Sequence, residues 1–401
     1  MTLLLLDLDD TLLGNAMPDF LPAYLKGLAG RMASVADPQK LVSTLLKATD
    51  WMVEDPRPDR TLEQKFDTVF FPGLDLNRPE VQHLIDTFYR EDFPHLAALT
   101  RPVPGAGDVI AQALARGEGV AVATNPLFPR TAILQRLGWA GLSPESVPFV
   151  LIPSYETFHF AKPNPAYYAE FLAQCGWPEG PVVMVGDDPE MDIEPARSLG
   201  LAVFWIAEAK STWPGPGPEP PRGRLHDLLS WLEQQSTAYL MPDFKRPEAW
   251  QAILRATPAA LSTIVATATP AETAHQPSPG EWSAGAVLCH LRDVEREVNL
   301  PRLRMILQTS NPFIPGEDTD RWAAERNYAL QDCLQALQAF IQARIELLAL
   351  LDGTVETDWE RPARHAIFGP TCLGEMVDII TGHDRLHIRQ LFQALRAARL
   401  T

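Results

Sequence analysis

The run Leu3-Leu4-Leu5-Leu6-Asp7-Leu8-Asp9-Asp10-Thr11-Leu12-Leu13 limits what this chain can fold into more than any other stretch. A continuous apolar run that stops at carboxylates predicts a strand buried on both faces, as in a parallel sheet covered by helices, with acids at its carboxyl end. Ligands of open α/β sheets bind at that end. Asp7 and Asp9 are two apart, so in extended backbone both side chains leave on one side, and two ionised carboxylates that close invite a divalent cation. Taken alone, the stretch also reads as a strand end followed by a carboxylate-rich turn.

Three more stretches follow in order. Val120 to Ala123 is an apolar strand ending at Thr124-Asn125. Phe158-His159-Phe160-Ala161-Lys162-Pro163 places a lysine before a proline, and Val182 to Val185 is a strand followed by Gly186-Asp187-Asp188-Pro189-Glu190-Met191-Asp192. Acids at the start of the helical Glu194 to Leu199 also suit a helix N-terminus, so their structural and functional readings coexist.

The four stretches together resemble the four motifs of the haloacid dehalogenase-like hydrolase superfamily, the first being Asp-x-Asp-x-Thr after a hydrophobic strand. The resemblance implies a Rossmann-like α/β core and a Mg²⁺-dependent attack of Asp7 on phosphorus to give an aspartyl-phosphate. It implies that Asp9 protonates the leaving oxygen and then activates water. Thr124 and Asn125 would hydrogen-bond the phosphoryl group, Lys162 would neutralise Asp7 and phosphate, and Asp7, Asp9 and Asp187 would hold Mg²⁺, with Asp188 and Asp192 supporting. Residues 14–100 carry mostly helical patterning, as in Leu21, Tyr24, Leu25 and Leu28, at the position of that superfamily's helical cap, a lid that selects substrate. Asp50 to Arg60 and Phe71 to Pro79 read as loops between cap helices.

At 401 residues the chain is too long for one ordinary core. We read residues 1–238 as the hydrolase-like domain, 239–246 as a linker and 247–401 as a second domain; the proline-rich 211–224 is a loop within the first. The hydrophobic share of 46% and charged share of 21% are those of a soluble globular protein. No apolar run approaches the roughly 20 residues of a membrane span, and Leu3 to Leu6 lacks the flanks of a signal peptide. Four scattered cysteines, Cys175, Cys289, Cys333 and Cys372, suit reduced thiols, so a cytoplasmic location is expected. A net charge of −17 argues against a nucleic-acid partner, since that binding depends on neutralising phosphates.

From Pro247 four long helical patterns are predicted, near 250–267, 284–308, 321–351 and 373–399, with Ser283 and Thr371 as capping candidates for the second and fourth. His383 and His387 are four apart and share a helical face. With Trp282-Ser283 and the His290-Leu291-x-Asp293-x-Glu295 run, they resemble the metal-binding four-helix-bundle family named after DinB. The resemblance implies that His290, His383 and His387 bind one divalent metal, Zn²⁺ or Ni²⁺, with positions open for water or a low-molecular-weight thiol. His365 and Glu295 are candidates for its surroundings.

The expected function is therefore hydrolysis of a small phosphate ester, fused to a three-histidine divalent-metal-binding bundle that acts as a thiol-dependent transferase and through which a homodimer is expected. The alternative is a phosphomutase or phosphonatase core with a non-catalytic C-terminal module for metal binding or dimerisation. Dehalogenases do not need the second acid, here Asp9; a phosphonatase needs a Schiff-base lysine from the cap, where Lys26, Lys40, Lys47 and Lys65 are available.

Overall fold

The computed structural model describes residues 1–15 and 17–400. Contacts divide the chain into two compact units. One comprises Met1–Pro56, Arg60–Asn164 and Glu179–Asp243; the other comprises Arg57–Asp59, Pro165–Pro178 and Phe244–Thr401.

The first unit is built on a parallel sheet of five strands, β1 (Leu3–Leu6), β2 (Gly119–Val122), β3 (Val182–Gly186), β4 (Ala202–Ile206) and β5 (Arg222–Gly223), in the order β2-β1-β3-β4-β5. Every residue of β1, β2 and β3 is buried, as the unbroken apolar runs require. The register places the site. Leu6 pairs with both Val122 and Val185, so the chain leaves β1, β2 and β3 at one level and Asp7, Thr124 and Asp187 emerge along a single edge. The proline-rich segment is not wholly loop, because its end pairs Arg222 with Trp205 and Gly223 with Ile206 as the edge strand β5.

The helical insert is closed at its base by an antiparallel ribbon in which Leu13–Asn15 pairs with Thr100–Pro102. Between these strands lie the helices Met17–Met32, Pro38–Glu54, Leu62–Gly73 and Arg78–Thr87, around Phe20, Tyr24, Leu41, Phe70, Phe88 and Phe93. Asp37 caps the second helix by accepting from Lys40 N at 2.8 Å, and Thr61 with Gln64 forms a reciprocal capping pair on the third. The connecting loops are shorter than the prolines suggest. Helix continues to Glu54 on one side and through Pro72 to Gly73 on the other.

The second unit contains the helices Pro247–Ala266, Cys333–Leu351 and Leu373–Ala398, and a continuous helical stretch from Ala284 to Gln308 that widens by one residue per turn at Glu295–Asn299, just before Pro301. The predicted helix over 321–351 is corrected. It is a short helix, Trp322–Glu325, then Asn327 in left-handed backbone at φ +52°, and only then Cys333–Leu351. Asp332 starts the latter by accepting from Leu334 N and Gln335 N at 2.9 and 3.0 Å, so the local capping chemistry overrides the longer apolar pattern. Cys333–Leu351 is long and apolar enough to cross a membrane by composition, yet it buries Arg344 and packs inside this unit. Thr371 is likewise corrected: Cys372 occupies the cap position, while Thr371 lies on a strand and donates to Glu375 at 2.8 Å. That strand, Gly369–Cys372, pairs with Pro362–His365 and through it with Phe313–Ile314, a small sheet that helical periodicity does not reveal. The helix Pro165–Gln174, buried along almost its whole length, packs against Pro247–Ala266 within this unit.

Candidate active site and three-histidine centre

Asp7 follows the last residue of β1 and is buried. Its Oδ1 accepts from Lys162 Nζ at 2.6 Å, and the same ammonium donates to Asp192 Oδ1 at 2.5 Å. Carboxylate oxygens of Asp7, Asp187 and Asp192 lie within 4.8 Å of one another, a hard-oxygen set suited to a small divalent cation. Burial, then repulsion from Asp192, raises the Asp7 carboxyl well above its usual range despite Lys162. Burial, Asp192 and Asp10 push the Asp187 carboxyl up to about 7. One lysine does not balance these acids; a divalent cation would, and in this the residues present fit the metal.

The backbone around this cluster explains its local shape. A Cβ added to Gly186 would stand 2.2 Å from Asp192 Oδ2, so only glycine lets the acid fold back against the strand end. Asp188 caps the following turn, accepting from Glu190 N at 2.8 Å and Met191 N at 3.0 Å, while its own N–H donates to Asp192 Oδ2 at 3.1 Å. Asp188 is exposed and thus supports the turn. Thr11 Oγ1 is 3.5 Å from Asp187 Oδ1, and Trp205 Nε1 donates to Asp187 O at 2.8 Å. Thr124 is buried at the end of β2. Asn125 is turned to the lysine loop: its Oδ1 accepts from Lys162 N at 3.1 Å and its Nδ2 lies 3.5 Å from Lys162 O.

Asp9 faces a different set of partners. Beyond Leu6 the chain is no longer a strand, and Asp10 adopts left-handed backbone at φ +54°, so the alternation expected for Asp7 and Asp9 does not persist. Asp9 Oδ1 is bound by the Arg136 guanidinium and, at 3.0 Å, by Asn15 Nδ2. Arg136 is buried, with Phe20 and Phe128 rings 5.5 and 5.7 Å from its guanidinium carbon. Neither Arg136 nor Asn15 was a candidate from sequence. The available signal was an arginine on the buried helical face of Ile133 and Leu137. Of the cap lysines, Lys65 is buried and donates to the carbonyls of Asp55 and His159 at 2.8 and 2.7 Å.

In the second unit His290, His383 and His387 come together, with one ring nitrogen of each within 4.8 Å of the others. His383 and His387 are one turn apart on the last helix, and His290 faces them from the helix begun by Ser283, which caps it by accepting from Ala286 N at 3.2 Å. The Nε2 atoms of His290 and His383 are 3.1 Å apart, a distance that needs a shared proton or a shared cation. Two nitrogens bound tetrahedrally at ordinary Zn–N lengths stand about 3.3 Å apart. Burial and the neighbouring imidazoles push His290 and His383 down to about 3, and burial lowers His387, so the rings are neutral and fit to ligate. His387 Nδ1 is 2.9 Å from Gln390 Oε1, which directs its Nε2 to the other rings. Trp282 stacks on His387 at 5.9 Å and 9° and lies 4.8 Å from His290. His365 stacks on Phe368 instead, and Glu295 binds Arg344; neither is in this cluster.

Carboxylates gathered with a buried lysine at the carboxyl edge of a parallel sheet, after a helical insert, define a capped α/β hydrolase. The chain belongs to the haloacid dehalogenase-like hydrolase family, whose model matches residues 1–200, and it carries a DinB-superfamily domain over residues 253–391. It is 30% identical over 197 residues, 49% of this chain and 77% of the relative, to N-acetylmuramic acid 6-phosphate phosphatase of Pseudomonas aeruginosa. It is 25% identical over 205 residues, 51% of this chain and 82% of the relative, to phosphoglycolate phosphatase of Mesorhizobium japonicum. Among solved structures, YfiT from Bacillus subtilis, described as a probable metal-dependent hydrolase with an unusual four-helix bundle topology, is similar at 21% identity and a TM-score of 0.35, over 41% of this chain and 90% of that one.

Proposed function

We propose that this chain is a phosphoric monoester hydrolase that works through an aspartyl-phosphate on Asp7, and that its second unit holds a transition metal. The observation that carries the first reading is Lys162 bridging Asp7 and Asp192 beside Asp187. Asp7 and Asp187 would hold Mg²⁺, which when bound screens the charges of the carboxylates and of phosphate. An Asp7 carboxylate oxygen attacks phosphorus as the bond to the alcohol oxygen breaks, and Asp9 gives that oxygen its proton. Asp9 then takes a proton from water as water attacks the phosphorus of the acyl phosphate, restoring Asp7 and releasing phosphate. Arg136 and Asn15 both engage Asp9 Oδ1 and so fix the orientation of the Asp9 carboxyl group. Asp192 holds Lys162 against Asp7, and Asn125 fastens the backbone of the lysine loop. Lys65, engaged by two backbone carbonyls, gives no support to Schiff-base chemistry in the cap.

Hydrolysis of 4-nitrophenyl phosphate by the full chain should stop in excess chelator and return with Mg²⁺. Because burial pushes the Asp187 carboxyl up to about 7 and raises Asp7 as well, and both must lose their protons to ligate, the half-saturating Mg²⁺ concentration should rise by at least about tenfold per pH unit as pH falls below 7. Full activity in chelator would contradict the reading.

Three neutral imidazoles from two helices favour Zn²⁺ or Ni²⁺ over Mg²⁺, which prefers oxygen. A low-molecular-weight thiol, its sulfur completing the ligand set, is the co-substrate a transferase of this kind would take. The full chain loaded with Zn²⁺ or Ni²⁺ and then desalted should retain close to one ion by elemental analysis. His387→Ala should weaken that binding by at least about a hundredfold, since one of three ligands is lost. Equal retention by the His290, His383 and His387 triple alanine variant would defeat the site. Four free cysteines suit a reducing, cytoplasmic setting for both activities.

A further inference from the structure

The cap encloses a cavity of about 250 Å³ that the proposed chemistry does not use. Most of its wall is apolar or aromatic, including Leu45, Phe66, Phe70 and Phe128. It adjoins the catalytic groups through two short links. Leu127, Phe128 and Pro129 of its wall begin two residues after Asn125, and the Phe128 ring also lies 5.7 Å from the Arg136 guanidinium carbon, whose group binds Asp9. Met17, another wall residue, receives a 3.3 Å contact from the same Asn15 amide that holds Asp9. Met17 and Leu46 are among the exposed large hydrophobics and mark the side open to solvent.

The charges on this wall select as much as its apolar surface does. Among the described residues Arg78 is its one cationic side chain, and it is already taken: Nη1 binds Asp67 and Nη2 binds Glu63, each at 2.5 Å, with Tyr155 Oη 3.1 Å from Nη2. Two carboxylates on one guanidinium leave a net negative cluster, so a carboxylate on the substrate would meet repulsion and no free cation. The Tyr24 and Tyr89 hydroxyls pair with each other at 3.0 Å, which uses one of their two protons, so this mostly apolar wall offers few donors to a polyol. We propose that the cap cavity receives the alcohol portion of the phosphate ester and that this alcohol is uncharged and apolar, of aryl or aryl-alkyl type, with no carboxylate. The proposal rests on the phosphatase reading and gives it a substrate class.

The test compares three esters of primary alcohols on the full chain with Mg²⁺: 2-(1-naphthyl)ethyl phosphate, ethyl phosphate and phosphoglycolate. The first two alcohols are of similar acidity, so a difference reports binding in the cavity rather than intrinsic reactivity. The naphthyl ester should exceed both others in kcat/KM by at least about tenfold, the scale on which apolar pockets discriminate. Thr49→Trp, which fills the cavity from the helix Pro38–Glu54, should bring the naphthyl-to-ethyl ratio close to one; Leu46→Trp at the exposed mouth serves if the first variant does not fold. A preference for phosphoglycolate, no preference at all, or a ratio untouched by filling would overturn the cavity assignment while leaving the phosphatase standing. Turnover of none of the three would bring down the phosphatase reading, and this assignment with it.

Discussion

Asp7→Asn should abolish turnover of 4-nitrophenyl phosphate, by on the order of 10⁴-fold or more in kcat, because an amide neither attacks phosphorus nor supplies an anionic ligand. The fold should survive. Asp7 is buried with its carboxyl raised, chiefly by burial and then by Asp192, so its ionised form costs stability in the metal-free protein. An acid whose pKa is higher folded than unfolded loses stability as pH rises through that interval, and asparagine removes this loss at neutral pH. Lys162 keeps Asp192 as a partner at 2.5 Å. The metal-free variant should therefore melt at or slightly above the wild-type temperature in scanning calorimetry. Turnover within tenfold of wild type would remove Asp7 as nucleophile. A large fall in melting temperature would instead mean that its charge is structural.

The second large effect is on stability. Arg344→Ala should cost the second unit about 3–5 kcal/mol, the usual consequence of removing one partner from a buried ionic group. Its side chain is fully buried and Nε binds Glu295 Oε1 at 2.5 Å. Nη1 binds Asp384 Oδ2 at 2.6 Å and Leu254 O at 3.1 Å, and Nη2 binds Glu295 Oε2 and Asp384 Oδ1 at 3.2 and 3.1 Å. Alanine would leave two buried carboxylates facing each other with no cation between them. The triad joins the helical stretch that carries His290 to the one that carries His383 and His387, so retention of Zn²⁺ should fall as well. A calorimetric transition of this unit shifted by the equivalent of less than about 1 kcal/mol would show that the carboxylates reorganise or take up protons at little cost. Adding Glu295→Gln and Asp384→Asn to Arg344→Met should recover much of the loss, since the uncompensated charge, rather than the missing side chain, is the main penalty.

Much of the first unit was legible. Leu3 to Leu6, Val120 to Ala123 and Val182 to Val185 are continuous apolar runs of strand length, and each becomes a buried parallel strand. Lys162 and Asp192 belong to motifs that the sequence reads separately, and the fold brings Lys162 Nζ to 2.5 Å from Asp192 Oδ1. Asp9 and Asn125 were less legible, because their roles depend on what lies opposite them. The residues opposite are Arg136, from a helix whose arginine looked like any other, and the backbone of Lys162 itself. In the second unit the i, i+4 spacing of His383 and His387 was enough to put both on one face, whereas the Cys333 start of the third helix and the three-stranded sheet were missed. Asp332 capping and pairs such as Phe313 with Arg364 do not appear in apolar periodicity.

The sequence by itself determined the two-part organisation into an α/β hydrolase and a helical DinB-like domain, the family of each, and the residue types available for chemistry. These follow from the length of apolar runs, the period of helical faces and the order of short motifs, all of which are local. Only the tertiary structure decided that Asp192 joins Asp7 and Asp187 while the Asp9 carboxylate turns to Arg136 and Asn15. It also decided that Arg78 in the cap is already neutralised and that Arg344 answers two buried acids. A buried charge is satisfied by whatever partner the fold brings within about 3 Å of it, and that partner comes from strand register and helix packing between residues far apart in the chain.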